Sequence, residues 1–178
     1  MKSSHNVIHQ IGIETPLGTM TACAVKEGVC LLEFGDRKEL EAELKDLEKL
    51  FNTTISQGEN EHLTILKEQL SEYFAGKRKD FSVPLFLVGT AFQKTVWQKL
   101  LEIPYGKTRS YKEQAIALGN LESIRAVANA NGKNKIAILI PCHRVIGTDG
   151  QLTGYAGGLS RKRFLLELET KDIHPTLF

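Results

Sequence analysis

One short segment of the chain carries a reactive side chain in a setting that favours chemistry. Pro141-Cys142-His143-Arg144 follows the apolar run 136–140, which is typical of a β-strand. Most free cysteines of cytosolic proteins simply pack as small buried hydrophobic residues. Here, however, the proline restricts the backbone before the thiol, and the histidine and arginine supply the positive environment that favours a thiolate. The segment therefore predicts a nucleophilic Cys142.

His143 is the candidate base for this thiol. Adjacent side chains of a strand point to opposite faces, so a direct hydrogen bond from Cys142 to His143 requires a turn or a bridging water. A carboxylate is also expected to orient the imidazole. Spacing alone does not choose among the three local carboxylates, Glu167, Glu169 and Asp149.

Three short helices precede this segment and must position it. Thr90 is a candidate N-cap of the first, and Ser110 is a candidate N-cap of a second that runs through Leu118. The third is predicted from about Leu121 to Asn131. Short helices joined by tight turns resemble a helix-turn-helix module. The apolar face of the first helix is predicted to consist of Phe92, Val96, Trp97, Leu100 and Leu101.

The third helix suits a close approach by DNA because Ala126, Ala128 and Ala130 have little bulk. Arg125 is its long cation, able to reach a phosphate, a base edge or a vacated position in the base stack. An alanine-rich core helix with an exposed arginine is the alternative interpretation.

The first half of the chain has a different pattern. Three β segments separated by turn signals predict a small antiparallel meander. Asp36 is a candidate N-cap for a leucine-spaced helix that ends at Phe51 and covers the sheet. A short strand at 53–56 and a second amphipathic helix ending near Gly76 follow. The three β segments are residues 7–14, 18–25 and 28–34.

The charge balance changes sign near residue 88. Residues 1–88 carry ten Lys and Arg against fourteen Asp and Glu, a net −4, whereas residues 89–178 carry thirteen against seven, a net +6. We therefore predict an α+β domain over 1–88 and a mainly helical, winged-helix-like domain over 89–178. The basic second half indicates a nucleic-acid partner, with ordinary solubilising charge as the alternative.

Composition excludes several classes of protein. With 178 residues, 42% hydrophobic and 25% charged, the chain is neither collagen-like nor disordered nor a coiled coil. It has no apolar stretch of about 18 residues and no apolar run of signal-peptide type after Met1, so we expect a cytoplasmic protein with no membrane partner. Cys23, Cys30 and Cys142 are expected to be reduced. No metal is predicted, because Cys23, Cys30, His5 and His9 lack ligand spacing.

Six segments of the second half together carry a family resemblance. The combination closely resembles the O6-alkylguanine-DNA alkyltransferases, densely over residues 90–169, whereas the first 88 residues match only in their α+β character. The six segments are Phe92-Gln93-Lys94-Thr95-Val96-Trp97, Ile103-Pro104-Tyr105-Gly106, Ser110-Tyr111, Arg125-Ala126-Val127, Ile140-Pro141-Cys142-His143-Arg144-Val145 and Gly154-Tyr155-Ala156-Gly157-Gly158-Leu159.

This resemblance implies DNA repair by an irreversible, single-turnover transfer of an alkyl group from O6 of guanine to a cysteine, without a cofactor. O4-alkylthymine stays open as a second substrate. By motif position, Cys142 is the nucleophile and His143 deprotonates it through an ordered water. Glu169 orients the histidine, and Asn134 braces the turn that presents the cysteine.

The resemblance also implies base flipping by a monomer bound in the minor groove of double-stranded DNA. Arg125 matches the arginine that replaces the extruded base, on a DNA-binding helix that includes Ala126 and Asn129. Four positions fall on the substrate pocket: Tyr111, Val145, Tyr155 and Ala156.

Two positions depart from the commonest family pattern: Lys135 stands where proline is frequent, and Ala156 stands where some members carry serine. Three other functions compete with alkyl transfer. A recognition protein that only flags alkylated bases is disfavoured because Cys142 is in place. A helix-turn-helix regulator would prefer specific sequences strongly over random duplex. A cysteine hydrolase would need an oxyanion hole and repeated turnover.

Overall fold

The computed structural model describes residues 7–171, and the chain divides into two compact units between Leu87 and Val88. The boundary predicted from the sequence lies one residue later. His5 and the outermost residues of both predicted domains, 1–6 and 172–178, lie outside the described residues.

The first unit is a four-stranded sheet with two helices. Its strand order is β3-β2-β1-β4, in which β1, β2 and β3 are antiparallel as predicted and β4 pairs parallel with β1. The parallel pairing is possible because α1 crosses over between β3 and β4. The elements are β1 (Ile8–Thr15), β2 (Gly18–Val25), β3 (Gly28–Phe34), α1 (Leu40–Phe51), β4 (Ile55–Gln57) and α2 (Glu61–Phe74).

One prediction for this unit is wrong. The first helix begins at Leu40 with Glu39 as N-cap, because a turn in which the Arg37 N–H donates to the Phe34 carbonyl occupies the region after Asp36. Helix α2 packs against β1, β2 and β3. Leu47 of α1 is buried, whereas Leu50 is 58% exposed.

The second unit is mainly helical, as predicted. The Thr90 and Ser110 side chains both form capping boxes, with Gln93 and Glu113 respectively, and these reciprocal bonds fix where α3 and α4 begin. The elements are α3 (Ala91–Leu100), β5 (Arg109–Ser110), α4 (Tyr111–Ala117), a 3₁₀ turn (Leu121–Ser123), α5 (Ile124–Gly132), a second 3₁₀ turn (Cys142–Arg144), β6 (Val145–Ile146) and α6 (Leu159–Lys171).

Helix α5 is held from its buried side. The indole Nε1 of Trp97 in α3 donates to the Ala130 carbonyl at 2.9 Å, and Val127 and Ala130 are buried. The predicted apolar face of α3 is narrower than expected, since Phe92 and Leu101 are 44% and 45% exposed. No helix in the described range 7–171 is long and apolar enough to cross a membrane.

The apolar run 136–140 forms a turn and not the predicted strand. Ile138 has a φ of 71°, which no strand residue adopts, and the Ile140 N–H donates to the Ile136 carbonyl. The Asn134 amide stabilises this turn, because it accepts from the Ile136 N–H at 3.0 Å and donates to the Ile140 carbonyl at 2.8 Å. These side-chain hydrogen bonds satisfy backbone groups that a strand would pair with a neighbouring strand.

Candidate active site

Cys142 begins a 3₁₀ turn directly after Pro141. The turn removes the strand alternation that would have sent Cys142 and His143 to opposite faces. Asn134 donates from Nδ2 to the Cys142 Sγ at 3.2 Å, so the same amide braces the preceding turn and contacts the sulfur. The structure thus brings together Asn134 and Cys142, as expected from the resemblance.

Glu169 is the carboxylate beside His143. Its Oε1 lies 2.8 Å from His143 Nε2, and both side chains are fully buried. The other two candidates lie elsewhere: Glu167 is exposed, and the Asp149 carboxylate accepts the Gln151 N–H within a turn. Helix periodicity explains the choice, since Glu169 shares the buried stripe of α6 with Leu165.

Arg144 completes this buried cluster. Its Nε and Nη2 donate to the two Glu169 oxygens, each at 2.9 Å, and its Nη1 donates to the Ile103 carbonyl. The guanidinium also lies over the Tyr105 ring, 5.8 Å from the centroid. A bidentate arginine therefore keeps the carboxylate in one orientation.

The electrostatics of the cluster favour a neutral imidazole next to an ionised carboxylate. Burial alone would raise the pKa of Glu169, but its bonds and charge interactions with His143 and Arg144 outweigh burial and lower that pKa to about 2. Burial lowers the pKa of His143, and Glu169 only partly offsets this effect. A neutral His143 donates from Nε2 to Glu169, which leaves Nδ1 as an acceptor. Nδ1 is buried and has no hydrogen-bond partner among residues 7–171.

A pocket of about 160 Å³ opens onto Cys142. Three of the four predicted pocket residues line it, whereas Val145 is buried and is not among the lining residues. Helix α5 contributes Ala128, Asn131 and Gly132, and the space stays open because Ala128 is small and Gly132 has no side chain. The lining residues are Tyr111, Ala128, Asn131, Gly132, Cys142, Gly154, Tyr155 and Ala156.

Tyr111 joins two walls of this pocket. Its hydroxyl donates to the Thr153 carbonyl at 2.7 Å, which connects the start of α4 to the segment that carries Gly154. Burial raises the pKa of Tyr111, with Thr153 opposing, so the phenol stays protonated near neutral pH. Because the single hydroxyl proton is donated to Thr153, the phenol oxygen can accept a hydrogen bond from a ligand at the pocket wall.

The predicted DNA-contacting residues form an exposed face of α5. Arg125, Ala126 and Asn129 are exposed, while Val127 and Ala130 are buried on the other side. None of the three lines the pocket, although Ala128 on the same helix does. Helix α5 therefore presents one surface to the outside and another to the space beside Cys142.

Sequence reasoning missed Lys162, which is fully buried in α6. Its Nζ donates to the carbonyls of Val145, Thr153 and Gly154. Burial lowers the pKa of Lys162 to about 8, with Cys142 opposing the shift. The sequence could have indicated its burial, because Lys162 lies on the buried face of α6, about one turn before Leu165. A charged residue at such a position needs a specific partner.

The other two cysteines lie away from this site, in the first unit. Cys23 and Cys30 are buried on neighbouring strands, and the Cys30 thiol donates to the Cys23 carbonyl. None of the three cysteines is in a disulfide. Residues 7–171 contain no group of three or more His, Cys, Asp or Glu side chains that could hold a metal ion.

A thiol at the wall of a small pocket, in a basic unit whose helix α5 exposes an arginine, fits a class of protein in which a cysteine reacts with an anionic partner such as DNA. Comparison with known families narrows the class. The family model for the DNA binding domain of 6-O-methylguanine DNA methyltransferase matches residues 91–171. The family model for the ribonuclease-like domain of 6-O-methylguanine DNA methyltransferase matches residues 8–87.

Individual relatives agree with the family models. A methylated-DNA–protein-cysteine methyltransferase of Methanosarcina barkeri is 44% identical over 164 residues, which cover 90% of this chain and 96% of the relative. The constitutive enzyme of Bacillus subtilis is 43% identical over 88% of this chain and 92% of its own length. The crystal structure of Mycobacterium tuberculosis OGT in complex with DNA is similar with a TM-score of 0.79 and 42% identity, covering 92% of this chain and 94% of that one.

The chain belongs to the 6-O-methylguanine DNA methyltransferase family. It is a DNA-repair enzyme that moves an alkyl group directly from DNA to a protein cysteine. The functions of a recognition-only protein and of a regulator are not favoured by these findings.

Proposed function

We propose that Cys142 is the alkyl acceptor and that the substrate is O6-alkylguanine in double-stranded DNA. The observation that carries this proposal is that Cys142 lines the pocket and is followed directly by the buried imidazole of His143. Its sulfur receives a hydrogen bond from Asn134, and the adjacent His143 is oriented by Glu169. Cys23 and Cys30 lie buried on strands of the first unit, and burial raises the pKa of Cys23 well above the usual range.

The reaction balances without a cofactor. The neutral His143 accepts the thiol proton at Nδ1 through a bridging water, and the Cys142 sulfur then attacks the alkyl carbon in line with the C–O6 bond. A bond forms between the sulfur and the alkyl carbon while the bond between that carbon and O6 breaks. The electron pair of the broken bond stays on O6 of the guanine. Protonation of that anion restores guanine. The thioether does not reverse, so each protein molecule acts once.

The proposed DNA geometry follows from α5. Its small residues permit a close approach, and Arg125 is long enough to fill the stack position that the flipped nucleotide leaves. Extrusion costs a few kcal/mol, which such a substitute partly offsets. We propose that α5 enters the minor groove, that the flipped guanine enters the pocket at Cys142, and that one monomer suffices. A minor-groove ligand is then expected to compete for the duplex, and sedimentation should give a 1:1 complex on a short site.

Single-turnover transfer tests this proposal. Duplex containing O6-methylguanine with a labelled methyl group is mixed with the protein, and label on the protein is counted. We expect one methyl group per molecule, no transfer by Cys142→Ser, and full transfer by the matched control Cys23→Ser. Transfer that persists in Cys142→Ser would contradict the assignment.

A further inference from the structure

A pair of buried amides joins α4 to α5 beside the pocket. Gln114 Nε2 donates to Asn131 Oδ1 at 2.8 Å, and Asn131 Nδ2 donates back to Gln114 Oε1 at 2.7 Å. Both side chains are buried, and they lie 17 residues apart in sequence. The mechanism above uses neither residue.

Only one partner of the pair reaches the pocket. Asn131 lines it together with Cys142, whereas Gln114 is not among the described residues of its wall. Each amide has two N–H groups and two lone pairs on its oxygen, and the reciprocal bonds use one of each. The pair therefore leaves one N–H group and one oxygen lone pair of Asn131 for other hydrogen bonds at the pocket wall. Gln114 holds its orientation, because rotation would leave two buried amides unsatisfied.

We propose that the Gln114–Asn131 pair makes the enzyme selective for small alkyl groups over bulky apolar ones, an inference that rests on the proposed function. The attacked carbon must lie in contact with the Cys142 sulfur, so the rest of a larger group extends into the remaining pocket. That pocket is only about 160 Å³. An apolar ring in it covers the Asn131 amide and removes its water without replacing the hydrogen bonds. A methyl group leaves that amide hydrated. Asn131 is then a specificity residue, and Gln114 is a positioning residue.

A competition assay tests this selectivity. Equal amounts of duplex carrying O6-methylguanine and O6-benzylguanine compete for limiting protein, and the ratio of methylated to benzylated protein is measured by mass spectrometry. Gln114→Met together with Asn131→Leu keeps the approximate shape of the pair and removes its polarity. We expect the methyl-to-benzyl ratio to fall by about fivefold or more. Gln114→Met alone should change the ratio by less than the double variant, because Asn131 remains polar.

The ratio separates selectivity from stability, because both duplexes compete for the same folded molecules and a loss of active protein cancels. Gln69→Met is the matched control: Gln69 is a buried amide of the first unit that bonds to Ser82, and its loss should leave the ratio unchanged. A ratio in the double variant within about twofold of wild type would overturn the inference. A wild-type protein that accepts neither alkyl group would instead overturn the proposed function.

Discussion

Changing Glu169 to glutamine removes one buried negative charge while keeping the shape of the side chain. The carboxylate accepts three hydrogen bonds, two from Arg144 and one from His143. In Glu169→Gln one oxygen becomes an NH₂ group that faces a donor, and the Arg144 guanidinium loses its counter-charge. Removing one partner of a buried ion pair costs about 3–5 kcal/mol. We expect a loss of unfolding free energy in that range, a large part of the usual total.

The same substitution should slow transfer beyond its effect on folding. The glutamine oxygen can still accept from His143 Nε2, but the imidazolium that forms when His143 takes the thiol proton loses its counter-charge, and a positioned general base is worth about 10²- to 10⁴-fold. We therefore expect the single-turnover rate of the folded variant to fall about 100-fold or more.

The variant should also change the pH dependence of stability. The pKa of Glu169 is lowered from 4.5 to about 2 in the folded protein, so its contribution is present above pH 4.5 and is lost as the pH falls towards 2. Wild type should lose this stability over that interval, and Glu169→Gln should lack this part of the acid dependence.

Urea unfolding and single-turnover transfer measure the two effects. Glu167→Gln is the matched control, because Glu167 is exposed on the same helix and was one of the three candidates for orienting the histidine. The control should resemble wild type in both assays. If Glu169→Gln loses under about 1 kcal/mol of unfolding free energy and keeps its transfer rate within about threefold of wild type, the Glu169 charge neither stabilises the cluster nor supports His143 as a base.

Three further substitutions probe other parts of the account. Arg125→Ala should slow transfer from well-paired duplex far more than from single-stranded DNA; equal slowing on both would count against a role in flipping. Asn134→Ala removes three hydrogen bonds around Cys142 and should cost about 2–4 kcal/mol in urea unfolding, at about 1 kcal/mol each, and no measurable loss would contradict the bracing role. Lys162 has a folded pKa of about 8, below its ordinary 10.5, so wild-type stability should rise between pH 8 and 10.5; a rise that persists in Lys162→Met would assign it to another group.

Local signals in the sequence predicted helices α3, α4 and α5 of the second unit, whereas α6 was not predicted. Thr90 and Ser110 act within one turn of the chain, so their helix-capping roles could be predicted directly from residue types. Pro141-Cys142-His143-Arg144 is likewise contiguous, so its residue types alone indicate Cys142 as a candidate nucleophile. Such features depend little on tertiary structure.

The features that residue spacing does not reveal depend on contacts between side chains and backbone groups that only the folded chain brings together. The run 136–140 has the composition of a strand, but the Asn134 side chain captures its backbone groups and a left-handed Ile138 turns the chain. Glu169 was found through the family resemblance, since its partner His143 is 26 residues away. The Gln114–Asn131 pair and the carbonyl partners of Lys162 likewise need the folded chain to bring them together.

Peptide mass spectrometry after reaction with excess O6-methylguanine duplex tests whether Cys142 is the alkyl acceptor. We expect one added methyl mass per protein, located on the Cys142 peptide, with the Cys23 and Cys30 peptides unmodified and no further turnover on longer incubation. A methyl group on another residue, or an unmodified protein that still binds the lesion, would contradict this assignment.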